Sequence, residues 1–375
     1  MHEARNKKRI VIVGFGDTGL LTAIHLPKRF EIVGISPKPC LVSGQELGTR
    51  ISRPEQWKKN YLMSFGRYRR LSGVRTIHGS VTGIDSRAKL VQIKTHDGET
   101  QSLEYDALLI STGVTNGFWR NNRPESLQQI EAGLSSIHER IRAAHCIAVV
   151  GGGAAATAAV SNIKEAFPEK EVHLFCSREL PLPEYHPRTR VRVARILREQ
   201  GVHLHTEHRA KLPAVMPDEY LTSGRLQFED KDIGFSADLI LWAVGQLQPN
   251  NAGLPADFLN RQGFVNADAH LRVPGFEHVF TVGDIAATDP NRCSARNKGF
   301  EIAAHNLKVC LDGRGRMRAF KPAAYRWGSI LGVRNEGMRV FTPAGGNVRI
   351  RRWAVERLLF PLAVRRMIYK GVTAD

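Results

Sequence analysis

The sequence predicts an α/β protein made of two parallel-sheet units, the second inserted in the first, followed by a small basic C-terminal region. Three observations carry the prediction. First, two segments run from an apolar strand through a glycine loop into a helix: IVIVGFGDTGLLTAIHL near the start and IAVVGGGAAATAAV at 147–160. Second, LEYDALLISTGV and FSADLILWAVG share one design, in which an acid precedes an apolar strand that ends in Ser-Thr-Gly or Ala-Val-Gly. Third, VPGFEHVFTVGDIAA delivers another strand late in the chain, into a Gly-Asp turn. Strands separated by helices imply parallel sheets with ligands at their carboxyl ends.

Taken in order, a strand at 10–13 leads into the loop Gly14-Phe15-Gly16-Asp17-Thr18-Gly19 and a helix to about His25. EIVGI, 31–35, is the second strand. Residues 36–70 read as irregular, with Pro37, Pro39 and Pro54 breaking any long helix. Residues 74–112 alternate with turn signals and predict a small antiparallel ribbon returning to the sheet. A second βαβ series follows, with helices over 154–166 and 188–200, strands at 171–175 and at VHLHT, and closure at 237–245. The chain then re-enters the first unit, and a helix is expected from about Ser294 to Leu311. The expected division is 1–117 and 247–312 for the first unit, 118–246 for the second and 313–375 for the basic region.

Composition narrows the function. The chain has 375 residues, enough for two or three domains with ample core. No apolar stretch approaches the ~20 residues that span a bilayer, and the expectation is a cytoplasmic protein. The five cysteines, Cys40, Cys146, Cys176, Cys293 and Cys310, form no CxxC pair, so neither a disulfide framework nor a metal site is expected. The formal charge of +18 is uneven: from Gly313 onward fourteen Lys and Arg face three acids, a net +11. Such a region attracts anionic lipid, nucleic acid or an acidic protein, or is simply a solvated basic face.

The glycine loops suggest chemistry. In GxGxxG the first glycine makes the tight turn, the second admits a pyrophosphate to the backbone N–H groups, and the third packs helix on strand. The first loop matches fully; the second, Gly151-Gly152-Gly153-Ala154-Ala155-Ala156, ends in an allowed alanine. One loop alone is compatible with an ordinary turn. Two in matching contexts argue for two Rossmann-like dinucleotide-binding domains. Asp284, after Gly283, is suited to accept hydrogen bonds from sugar-alcohol hydroxyls, and the helix beyond would aim its dipole at an electron-rich ring.

Over nearly its whole length the chain resembles the two-dinucleotide-binding-domain flavoproteins, the pyridine nucleotide-disulfide oxidoreductase superfamily, here without the redox cysteines. Within them it is most similar to the apoptosis-inducing-factor-like ferroptosis suppressor proteins, which are NAD(P)H:quinone reductases. The resemblance rests on IAVVGGGAAATAAVSNIKEAFPEKEVHLFCSRE, on TVGDIAA and on AFKPAAYRWGSILGVRNEGMRVF. It implies FAD on the first loop, NAD(P)H on the second and a quinone-type acceptor. Gly14, Gly16, Thr18 and Gly19 would hold the FAD pyrophosphate, Phe15, Asp17, Thr112 and Gly113 would belong to the same cofactor site, and Gly283 and Asp284 would hold the ribityl chain. Val81 would bond adenine through its backbone. Arg50 would reach a phosphate or the ring, with a surface role as the alternative. Lys298 would stabilise the anionic reduced ring, or be merely solvated. Gly151, Gly153, Ala156, Arg178 and Gly245 would hold the nicotinamide nucleotide.

The chain departs from the family in four places. Ser36 stands where an acid would grip the adenosine ribose. In the second domain that place is Cys176-Ser177-Arg178, with no carboxylate to repel a 2′-phosphate and an arginine to pair with one. This favours NADPH or little discrimination, with Arg178 as a plain surface residue the alternative. Ala158 replaces a glutamate near the nicotinamide. The segment CSARNKG lacks the glutamines that type II NADH dehydrogenases carry after the Gly-Asp motif. Two alternatives stay open: a reductase of a small acidic electron carrier of ferredoxin type, and a flavin-containing binding protein whose tail grips membrane or nucleic acid. The tail RRWAVERLLFPLAVRRMIYK is no regular amphipathic helix, because Leu358 and Leu362 oppose Trp353, Phe360, Val364 and Met367, and Pro361 interrupts it. It is expected either to touch a membrane peripherally or to dock on the protein's own body or a second subunit.

Overall fold

The computed structural model describes residues 7–117, 121–229, 231–244, 247–295 and 297–373. The chain opens with strand β1 (Arg9–Val13), helix α1 (Asp17–His25) and strand β2 (Glu31–Ser36). Short helices α2 (Leu47–Ser52) and α3 (Pro54–Tyr61) follow. Then come β3 (Arg75–Asp85), β4 (Leu90–Thr95), β5 (Thr100–Glu104) and β6 (Ala107–Ile110). Ile10 to Val13 are all buried, as expected of a parallel strand covered on both faces.

The second unit begins with α4 (Leu127–Ala143) and strand β7 (Cys146–Val150), then α5 (Ala154–Ala166) and β8 (Glu171–Phe175). It continues through α6 (Pro187–Glu199), β9 (His203–His205), β10 (Leu221–Phe228) and β11 (Lys231–Trp242). Strand β12 (Val279–Thr281) and helix α7 (Gly299–Asp312) come next. A meander of β13 (Gly328–Arg334), β14 (Gly337–Phe341) and β15 (Asn347–Arg351) leads to a last helix, Val355–Ile368.

The strands sort into a seven-stranded sheet, β12-β6-β1-β2-β3-β4-β5, and a five-stranded one, β9-β8-β7-β11-β10. The first is parallel from β12 to β3, with β4 and β5 antiparallel. The second is parallel except for the β10–β11 hairpin. Because β12 pairs with β6, the whole second sheet is an insertion between two neighbouring strands of the first.

Local departures from the sequence reading have physical causes. Pro54 starts α3 at its first turn, where its missing N–H is no loss, instead of breaking a helix. The closing strand begins six residues early, at Lys231, because it pairs back on β10. The helix after the Gly-Asp turn starts at Gly299 and not at Ser294. Lys298 takes the left-handed region (φ 58°), and a Cβ on Gly299 would lie 2.1 Å from the Ser294 carbonyl oxygen.

The C-terminal region docks on the protein's own body. Its strand β13 lies against α5 and α2, where Asn162 is fully buried and fully bonded. The Asn162 amide donates to the carbonyls of Ala158 and Leu331, both at 2.9 Å, and accepts from Arg53 at 2.9 Å and Thr49 at 3.3 Å. One side chain thus joins the first unit, the second unit and the tail. Asn162→Leu strands these partners in the interior. It is expected to cost about 2–4 kcal/mol, read as a lower midpoint in chemical denaturation with the wild-type flavin content of the folded fraction. Further along, Tyr369 packs edge-on against Tyr68 at 5.2 Å, and Arg365 donates to Asn60 at 2.9 Å. Trp353, Leu358, Leu362 and Met367 stay exposed.

Candidate functional site: two glycine cradles

At the carboxyl end of β1, Gly14 has φ +92°, and a Cβ there would lie 2.5 Å from the Ser111 carbonyl and the Thr112 nitrogen. Only glycine fits this turn. The N–H groups of Gly14 and Phe15 both donate to the Ile35 carbonyl at 3.0 Å, which seats the loop on β2. Phe15 is buried under the loop, edge-on to Phe65 at 5.2 Å, so its side chain anchors the cradle from the core side. Gly19 must also be small, since its Cβ would lie 2.2 Å from the Gly14 carbonyl oxygen. Gly16 differs, because nothing lies within 4 Å of its would-be Cβ. That is the open side, where the unpartnered first-turn N–H groups of a helix meet an anion. Asp17 turns its carboxylate onto Ser43 Oγ (2.6 Å) and the Gly44 nitrogen (2.7 Å).

The Gly-Asp turn folds against this cradle. Gly283 (φ +92°) is close enough that its Cβ would sit 3.2 Å from Thr18 Oγ1. The buried Ser294 hydroxyl accepts from the Gly283 nitrogen at 3.0 Å and donates to its carbonyl at 3.1 Å, fixing the orientation of the turn that carries Asp284. The sequence marked Ser294 only as the expected start of a helix, with no sign of this clamp. Two buried polar atoms around the crevice have no partner, Thr112 Oγ1 and Asn297 Nδ2. An open glycine edge, a carboxylate beside it and orphaned polar atoms match what a dinucleotide with a sugar-alcohol chain would need. FAD fits these residues.

Other predicted positions fall around this edge. Val81 lies three residues past the Ser36↔His78 pairing, beyond the parallel part of the sheet. Gly113, at φ +72°, has open space at its Cβ. Arg50 stacks over the Trp57 ring at 5.0 Å. Lys298 is exposed at the start of α7. Ser36 Oγ accepts from the Lys38 nitrogen at 3.1 Å, and Lys38 pairs with Glu125 and donates to Asn121 at 2.7 Å. The place of the family acid therefore holds a hydroxyl beside a neutralised lysine. Trp327 of the tail donates to Asn297 Oδ1 at 2.6 Å, and Arg326 reaches the Asn291 carbonyl at 2.7 Å. The sequence showed Trp327 only as part of a resemblance, since a contact across thirty positions has no local signal.

The second cradle repeats the first. Gly151 (φ +142°) would place a Cβ 2.3 Å from the Ala243 carbonyl oxygen, and its N–H donates to Phe175 at 2.8 Å. Gly153 has open space, as Gly16 does. Ala156 is fully buried in the place of the third glycine. Beyond β8, Cys176 is buried and Arg178 is exposed. Gly245 lies outside the described residues. Ala158 is largely buried, and its carbonyl oxygen would be 2.4 Å from a Cβ on Gly48 of α2. The two helices touch here, so Gly48 has no room for a side chain.

Cys40 is buried and free, and its burial pushes the thiol up to about 11. This keeps Cys40 protonated at neutral pH. A separate cavity of about 310 Å³ opens between α2, α3 and the last helix, lined by Glu46, Tyr61, Val333, Phe360 and Arg365 among others.

Two mainly parallel sheets, each with a glycine cradle at the carboxyl end of a strand, are the architecture of the NAD(P)H-dependent flavin oxidoreductases. The chain belongs to the pyridine nucleotide-disulphide oxidoreductase family, whose model matches residues 8–306. It is 27% identical to ferroptosis suppressor protein 1 of Xenopus laevis over 351 residues, covering 89% of this chain and 88% of that protein. It is 26% identical to apoptosis-inducing factor homolog B of Dictyostelium discoideum over 330 residues, covering 82% of each. Among solved structures, the fold is similar to the sulfide:quinone oxidoreductase of Aquifex aeolicus. The TM-score is 0.66 at 16% identity, covering 92% of this chain and 88% of that one. An engineered water-forming NADPH oxidase bound to NADPH also shares it, with a TM-score of 0.64 at 14% identity, covering 88% and 74%.

Proposed function

We propose that the protein binds FAD in the first cradle, takes a hydride from NAD(P)H held in the second and passes electrons to a quinone-type acceptor. The observation that carries this reading is the pair of open glycine edges, Gly16 and Gly153, with the Gly-Asp turn folded against Thr18. Bound FAD would supply the two-electron chemistry, and the chain supplies position and electrostatics. In this reading the first turn of α1 neutralises the pyrophosphate, Asp284 accepts from the ribityl hydroxyls, and Thr112 Oγ1 and Asn297 Nδ2 gain the partners they lack. Arg178, exposed beyond β8 and followed by Glu179, pairs with a 2′-phosphate, and with Cys176 in the place of the family acid this favours NADPH. A quinone acceptor is supported by the likeness to the sulfide:quinone oxidoreductase of Aquifex aeolicus and by a cavity within the usual ligand range beside α2.

The test is anaerobic mixing of the purified holoprotein with NADPH and then NADH, watching the flavin band near 450 nm, followed by steady turnover with soluble quinones. Bleaching and quinone turnover are expected; a flavin that stays oxidised overturns the proposal. Arg178→Glu is expected to lower kcat/KM for NADPH by about 10- to 100-fold, roughly 1.4–3 kcal/mol, and to change that for NADH less than threefold.

A second reading concerns location. The last helix exposes Leu358, Leu362 and Met367 next to the exposed Arg357 and Arg366. This mixture suits the surface of an anionic membrane. Sedimentation with phosphatidylserine vesicles is expected, weakening as salt rises; equal binding to neutral vesicles would count against it. Among the described residues no helix is long and apolar enough to cross a membrane.

A further inference from the structure

The absence of paired cysteine motifs argued against a metal site, yet the fold brings together three ligands that the sequence keeps apart. Cys146 opens β7 and is the register partner of Glu171, which opens β8. Side chains alternate along a strand, so His173, two positions on, shares a face with Glu171. The Cys146 thiol, a Glu171 carboxylate oxygen and a His173 ring nitrogen lie within 4.8 Å of one another.

A second observation points into this cluster. His173 is 8% exposed, and its Nε2 is buried with no hydrogen-bond partner, 4.0 Å from Glu171 Oε2. Its other nitrogen, Nδ1, is 3.0 Å from His205 Nε2. With the proton on Nδ1 donated to His205, Nε2 presents a lone pair towards the carboxylate. A hydrogen-bond partner on the far nitrogen is how ligating histidines are usually oriented. The ring is further fixed between His203, stacked at 4.6 Å, and Phe235, tilted at 4.5 Å. Cys146 makes only a weak contact, 3.8 Å to the Ser236 carbonyl. The exposed Glu171 is free to swing inwards.

We propose that Cys146, Glu171 and His173 form a site for one zinc-class divalent cation. A thiolate, an imidazole and a carboxylate with one position left to water match zinc's ligand preferences. Tetrahedral bonds of about 2.0–2.3 Å set ligand atoms roughly 3.3–3.8 Å apart, so side-chain rotations of about an ångström close the site. On binding, the Cys146 thiol loses its proton to solvent and the ion takes its place. The site lies at the amino end of β7, roughly 16 Å along the strand from the second cradle at five residues of ~3.3 Å each. The ion is thus structural or regulatory and takes no electrons.

The test uses the full-length flavoprotein, stripped with a chelator and titrated with Zn²⁺ alone against a chromophoric competitor. One ion per chain is expected, bound at least tenfold more tightly than by Cys146→Ser or Glu171→Gln. Zn²⁺ should also slow alkylation of Cys146 at least tenfold, followed peptide by peptide, while the other cysteines react unchanged. Replacement by Co²⁺ should give a thiolate charge-transfer band that C146S lacks. Glu171 is exposed and Cys146 half-buried, so both variants are expected to fold, checked by flavin absorbance and far-ultraviolet circular dichroism. Equal affinity in wild type and both variants, or an alkylation rate of Cys146 indifferent to Zn²⁺, overturns the proposal.

Discussion

Gly16→Val is expected to leave a folded protein without its yellow colour. Most glycine changes in such loops confuse two effects, because the new side chain strains the turn as well as blocking the ligand. Here the structure separates them. Gly14→Val would force an L-residue to φ +92° and drive its Cβ into the Ser111 carbonyl, so it attacks the fold directly. Gly16 sits at φ −83°, ψ −161°, an extended conformation that valine adopts readily, and its Cβ would meet no protein atom within 4 Å. Weaker capping of α1 should cost about 1 kcal/mol. The added methyl groups occupy the space in which a pyrophosphate would approach the first-turn N–H groups. A loss of FAD affinity of at least 100-fold, about 3 kcal/mol, is expected. The measurement is flavin-to-protein ratio after gel filtration, with circular dichroism on the same sample. Full flavin content in folded G16V would remove the first cradle from the account.

Gly153→Val should give the complementary result: a yellow protein that NADPH and NADH no longer bleach. Gly153 has φ −86° and ψ 178°, again extended, with open space at its Cβ. The first cradle belongs to the other sheet, so flavin content should equal that of wild type. The rate of anaerobic flavin reduction at a fixed nucleotide concentration should fall at least 100-fold. Dithionite, which needs no binding site, should still reduce the flavin fully. If G153V is reduced by NADPH at the wild-type rate, the hydride donor does not use the second loop. The two variants together distinguish a failed first site from a failed second one.

Both cradles were legible in the sequence because their signal is local. A buried strand, a glycine that must turn and a helix start all fall within about ten residues, and the chemistry of each position follows from its offset. The Gly-Asp turn was legible for the same reason, although nothing in the sequence says that Gly283 ends up beside Thr18 or that Ser294 clamps it. Residues 36–70 were illegible because α2 and α3 span six and eight residues, too short to show a periodic face, and they are held by contacts with α5 and the tail. Asn162 looked like one more polar residue on an alanine-rich helix. Its importance depends on four partners drawn from three parts of the chain. The cluster of Cys146, Glu171 and His173 was invisible because strand register, not spacing, creates it.

The clasp made by Asn162 has arms of unequal consequence. Its oxygen is gripped by Arg53 and Thr49, both from the first unit, while its nitrogen reaches Leu331 in the tail and Ala158 on its own helix. Cutting the tail away would therefore orphan one amide hydrogen and still leave the two cradle-bearing units bonded to each other.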